Sequence, residues 1–216
     1  MSYQRAPAVA GRFYPSNSAS CLAMVDDLLR GIKVRPASGA VVPHAGWVFS
    51  GSTAALGIAA IAAGNPETVV IFGAVHGPDH NAASTHVSGS WLTPLGELRI
   101  DAELALRCTQ SPLIRDSPLA HRHEHSIEVQ LPFLQRLLPA ARFVPISVRP
   151  GPDAVAIGRF CAREAENCGK RVAFVGSTDL THYGPAVGFE QHGRGAIGIR
   201  WAEDGNDRRF IGLIEQ

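Results

Sequence analysis

Lysine is nearly absent from this chain. Only Lys33 and Lys170 occur among its 216 residues, so arginine carries almost all the positive charge. Charged residues make up 18% of the sequence and the formal net charge is +1. No basic excess marks a nucleic-acid or anionic-membrane surface. No apolar run approaches the ~18 residues that a membrane span needs. The first residues, MSYQRAPAVAGRFYP, lack the charged start and long apolar stretch of a secretion signal. The four cysteines show no CxxC spacing. Cys161 and Cys168 fall in one expected helix, roughly 10 Å apart, beyond the ~7 Å that a disulfide bridges. Four reduced thiols and a cytoplasmic location are the expectation. Also missing are a P-loop, a G-x-G-x-x-G after a strand and a G-x-S-x-G elbow, so the common nucleotide and serine-hydrolase signatures are excluded. What remains is a chain that is 45% hydrophobic, long enough to bury a core as one domain over residues 1–216.

That chain alternates between two kinds of segment. Val-rich runs at 39–43 (GAVVP), 68–75 (TVVIFGAV), 142–148 (RFVPISV) and 172–176 (VAFVG) predict buried strands, the third placed at an edge or bulge by its proline. Helices are predicted over 52–63, over 101–108 under an Asp101 cap, over 126–138 with Pro132 bending it or marking a late start, and from Asp153 to a stop at Gly169. Two more are predicted after Gly184 and near Asn206, and 91–100 (WLTPLGELRI) predicts a hairpin. Strand and helix alternating through short links imply an α/β fold: one layered domain, a mainly parallel or mixed central sheet, helices flanking it.

The ends of the strands carry the chemistry. GAVVP runs into His44, TVVIFGAV into His76, and VAFVGST into Asp179 with His182 three residues on. In open α/β sheets ligands bind outside the carboxyl ends of the strands. Any one of these histidines alone reads as a hydrogen-bonded loop residue. Three such endings in one sheet point instead to a metal site or an acid–base cluster. A second signal is AHRHEHSIEVQLPF at 120–133. Its spacing is neither HExxH nor a zinc-finger pattern. His121 and His123 read as solvated loop residues. His125 and Glu128 read as groups supporting the metal ligands from behind. His80 and His86 are placed in a surface loop, and His192 past the last strand; none of the three is given a role.

Five stretches together resemble one family: AGRFYP at 10–15, PHAGWVFSG at 43–51, WLTPLGEL at 91–98, EHSIEVQLPFLQ at 124–135 and GSTDLTHYG at 176–184. They resemble the MEMO family, whose bacterial and archaeal members include the AmmeMemoRadiSam system protein B. The resemblance implies the fold of class III extradiol (LigB-type) dioxygenases, with a metal pocket at the strand ends. It further implies His44 and His76 as metal ligands, and Asp179 with His182 as the catalytic pair, His182 moving the proton. The third family ligand is a cysteine near the C-terminus. This chain ends at Gln216, before a matching Cys-Gly segment.

The expected function is therefore a MEMO-like metal protein. One form is a non-haem iron oxidoreductase of dioxygenase type, using Fe2+ on a small phenolic or other chelating molecule. The alternatives are a non-catalytic binding or scaffold protein whose pocket takes a peptide or partner, and a hydrolase using Zn2+; Cu is the remaining metal that imidazole suits. Neither nucleic acid nor membrane is an expected partner, and a homo-oligomer is allowed by the low charge.

Overall fold

The computed structural model describes residues 3–215, and the chain divides into two compact units, one ending at Thr178 and one beginning at Asp179. The first unit is built on a six-stranded sheet in the order β2 (Gly39–Val42), β9 (Val172–Ser177), β3 (Thr68–Gly73), β8 (Arg142–Val148), β4 (Ala83–Thr85), β7 (Ile114–Asp116). All neighbours are parallel except β8 and β4. The sheet is thus mixed, within an α/β fold. Val69, Val70 and Ile71 of β3 are wholly buried, as a strand covered on both faces requires.

Helices α1 (Ser18–Leu29), α2 (Trp47–Ala63) and α4 (Leu131–Leu137) pack together, while α3 (Ala102–Cys108) pairs with α5 (Asp153–Glu166). Asn17 caps α1 by accepting from the N–H of Ser20. Asp101 caps α3 through Leu104. A second, three-stranded sheet joins β1 (Gln4–Arg5), β5 (Ser90–Thr93) and β6 (Gly96–Arg99). The expected hairpin is β5–β6, antiparallel across Pro94-Leu95.

Several local expectations change. β8 is not an edge: it pairs with β3 on one side and β4 on the other, and Pro145 sits in register with Ile71. Its carbonyl accepts from the Thr85 hydroxyl at 2.7 Å. Helix α2 starts at Trp47 rather than Ser52 because Trp47 is pulled inward, its indole N–H donating to the Val129 carbonyl at 3.0 Å. The predicted 126–138 helix opens as a 3-10 turn over Glu128–Gln130 and becomes α-helical at Leu131, where Pro132 fits the first turn.

The second unit starts with an irregular loop and a 3-10 turn, Pro185–Val187, bounded by the left-handed Gly188. A helical run follows: Ala196–Arg200, a π segment Trp201–Asp207, then Arg208–Ile214. Tyr183 is its centre. The Tyr183 ring meets Phe189 and Trp201, and its hydroxyl donates to the Gly193 carbonyl at 2.8 Å. Asp207 accepts from both the N–H and the hydroxyl of Thr181, which ties the loop to the π segment.

Candidate metal centre

Three parallel neighbours place the site. Because β2, β9 and β3 lie side by side and run the same way, the residues just beyond their carboxyl ends share one edge of the sheet. His44 follows β2 and His76 follows β3. The third contributor, His125, comes from the turn before Glu128–Gln130. One ring nitrogen from each of His44, His76 and His125 lies within 4.8 Å of the others, well inside the ~8 Å beyond which two imidazoles could not share an ion with ~2 Å bonds. The rings of His76 and His125 are 4.5 Å apart, and that of His44 stands nearly perpendicular to both.

The Nδ1 atoms of His44 and His76 meet oxygen. Ser177, the last residue of β9, donates its hydroxyl to the Ser126 carbonyl at 2.6 Å and accepts from the Gln130 amide at 3.1 Å. With its one proton committed, its oxygen faces His44 Nδ1, 3.3 Å away, as an acceptor. His76 Nδ1 sits 3.0 and 3.1 Å from the two oxygens of Glu124. Burial alone would push the Glu124 carboxyl up, but the N–H groups of Ser126 and His76 and the His76 ring hold it down to about 2. His125 lies against the edge of the Phe13 ring at 4.7 Å.

Glu128 is wholly buried and accepts from Arg5 at 2.7 Å, from the N–H groups of Ala8 and Val9, and from the Tyr14 hydroxyl. Those partners belong to the N-terminal segment that seats Phe13 beside His125. Beside His76 opens a cavity of about 400 Å³, lined in part by Pro78, Asp79, Leu119, His123 and Glu124. A larger cavity, about 630 Å³, lies at the opposite sheet edge around Thr68, Asp101, Arg142 and Lys170. There Lys170 is committed to Asp101 and Glu103, so size does not mark the chemistry.

The match to known proteins covers the same residues. The family profile described as "Memo-like protein" matches residues 5–216. The chain belongs to the MEMO family. A MEMO1 family protein of Thermococcus onnurineus is 42% identical over 197 residues, covering 86% of this chain and 67% of the relative. One from Pyrococcus abyssi is 41% identical over the same shares. One from Methanosarcina barkeri is 40% identical over 84% of this chain and 69% of the relative.

Within this MEMO-family chain, Asp179 and His182 are brought together in the second unit, with His182 Nε2 3.2 Å from an Asp179 oxygen. His182 is mostly exposed and Asp179 largely covered. Two histidines are not where the sequence placed them. His121 is fully buried rather than solvated, its Nε2 bonded to the Ser84 carbonyl at 3.1 Å and its ring beside Trp91. Burial, with the Arg5 charge next, lowers its pKa to about 4. His86 is buried too, accepting from the Trp91 indole N–H at 3.3 Å. His121, His123 and His125 do not share a side: His121 closes the 3-10 helix Pro118–His121 and is buried, and the chain then bends, leaving His123 exposed. His80, His123 and His192 are exposed. The residue that sequence reasoning passed over is Glu124. Its only signal was a carboxylate between two histidines. All four cysteines are free, as expected. Among the described residues no helix is long and apolar enough to cross a membrane.

Proposed function

We propose that this MEMO-family protein holds one transition-metal ion on His44, His76 and His125. The carrying observation is the convergence of the three imidazoles within 4.8 Å. The donor set fits: neutral imidazole suits Fe, Zn and Cu, and the Nδ1 atoms of His44 and His76 meet oxygens that can accept from N–H. The favoured ion is Fe2+ and the favoured activity a dioxygenase-type oxidation, as the MEMO-family resemblance, and through it the LigB-type enzymes, implies. Iron would supply the one-electron chemistry that reaction with O2 needs. The chain supplies the rest. His44 is buried and His76 half open, so a small chelating molecule approaches from the His76 side, where Pro78 and Leu119 offer apolar walls. The family resemblance assigns the substrate proton to His182, and within the second unit Asp179 holds its ring. A zinc-dependent hydrolase is the second reading, favoured by the all-imidazole ligand set, which zinc enzymes also use.

Metal analysis of the purified protein, followed by anaerobic loading with Fe2+ and oxygen uptake, tests this. About one ion per chain is expected. It should be lost in His44→Ala, His76→Ala and His125→Ala and kept in His182→Ala, which should lose about 10²–10⁴-fold in rate. Stoichiometric zinc with no oxygen uptake favours the hydrolase. Failure to retain Fe2+, Zn2+ or Cu2+ removes the metal reading altogether.

A further inference from the structure

We propose that Glu124 is the positioning residue of the centre, a single carboxylate that fixes His76 in its Nδ1–H form and pins the backbone of His125 beside it. This rests on the metal reading above, and adds how two ligands from distant segments are held in place before any ion arrives. A neutral imidazole carries one N–H, and a carboxylate only accepts. With both Glu124 oxygens at 3.0 and 3.1 Å from His76 Nδ1, the proton belongs on Nδ1 and the lone pair on Nε2. Nε2 is then the coordinating atom.

The same carboxylate binds backbone on both sides. Oε2 accepts from the N–H of His76 at 2.8 Å; Oε1 accepts from His125 at 2.8 Å and Ser126 at 2.9 Å. The separation between the end of β3 and the 124–127 turn is therefore set by one side chain. Glu124 is itself held: the Arg5 guanidinium donates to its carbonyl at 2.6 Å and to the His121 carbonyl at 2.7 Å. Glu128 is not a substitute, since its oxygens are engaged by Arg5, Ala8, Val9 and Tyr14. Carboxylates that orient metal-binding histidines in this way typically change affinity 10–100-fold when removed.

Glu124→Gln separates orientation from packing. Glutamine keeps the size and one acceptor oxygen, but presents an amide N–H₂ that can donate to His76 Nδ1, favouring the wrong form, Nε2–H. Histidine ¹⁵N NMR of the metal-free protein, above the imidazole titration range, reads the form directly; His76 is assigned by the signals lost in His76→Gln. The expected result is Nδ1–H in the parent protein and a shift toward Nε2–H in Glu124→Gln. Affinity for Co2+, followed by its visible absorption, should fall about 10–100-fold while circular dichroism is unchanged. A parent protein with His76 as Nε2–H overturns the proposal. So does a Glu124→Gln protein that melts lower yet keeps the Nδ1–H form and its Co2+ affinity. Should that variant fail to fold, the parent spectrum alone still decides. A parent protein that binds no Co2+ but shows His76 as Nδ1–H sinks the metal reading and sustains the role of Glu124.

Discussion

His121 and His125 are four residues apart and have opposite fates. His125 turns toward His44 and His76, whereas His121 is sealed under Trp91 beside the Arg5 guanidinium, with His86 and Glu124 as its other charged or titratable neighbours. Its Nε2 donates to the Ser84 carbonyl, so the buried Nδ1 bears a lone pair with no partner among the described residues. A pKa of about 4 in the fold, against ~6.5 in an unfolded chain, means that the unfolded state binds the proton more tightly. The stabilisation is complete above about pH 6.5 and is lost as pH falls toward 4, to the extent of roughly 3 kcal/mol at most. His121→Gln keeps a donor for Ser84 and removes the titration. Urea midpoints at pH 7.5 and 4.5 should differ less in this variant than in the parent; an equal difference would place the acid sensitivity elsewhere.

At the scale of elements, the site depends on how closely the end of β3 docks on the 124–127 turn. Gly73 is the last residue of β3, and a Cβ there would lie 2.5 Å from Ser126 Oγ and 2.6 Å from Ile127 Cγ1. The same Ser126 hydroxyl accepts from the N–H of Ala74 at 3.0 Å. Neither neighbour can withdraw freely, since Ser126 N–H is bound to Glu124 and Ile127 is fully buried. Gly73→Ala should therefore cost about 1–3 kcal/mol, the usual range for an overpacked core, read from the urea midpoint. It should also weaken Co2+ binding, because it forces His76 and Glu124 apart. Loss of stability with unchanged affinity would show that the turn moves as a body and carries both ligands with it.

For the whole molecule, Glu124 and Ser177 hold His76 and His44 through hydrogen bonds that the chain itself supplies, so the fold is expected to stand when metal is withdrawn. Removing metal with a chelator should leave the circular dichroism intact. Saturating metal, at about a hundred times its Kd, should raise stability by about 2.7 kcal/mol, which for a chain of this size is several degrees in Tm. Collapse of the secondary structure on chelation would mean that the ion is structural and that the Glu124 and Ser177 contacts are secondary.

Much of this was legible in the residues themselves. Runs such as TVVIFG, short and rich in β-branched residues, read as strands covered on both faces, and a histidine just past each of two such runs falls at the carboxyl edge once the strands are parallel neighbours. Asp101 capping α3 is equally local, since a cap and the N–H it serves are three residues apart. The two-residue strand β1, the three-residue strands β4 and β7 and the inner position of β8 were not legible, because periodicity needs length and pairing order is written in no single segment. The same holds at the site. Sequence marked His44 and His76 by their place after strands, and named His125 only as a supporting group. Whether the histidines of 120–125 face solvent, the core or one another depended on a turn, and that turn is held by Arg5, more than a hundred residues away in the chain. Local chemistry determined which side chains could bind a metal. Only tertiary structure decided which of them meet, because a buried arginine and a shared carboxylate act across space and leave no period or spacing in the sequence.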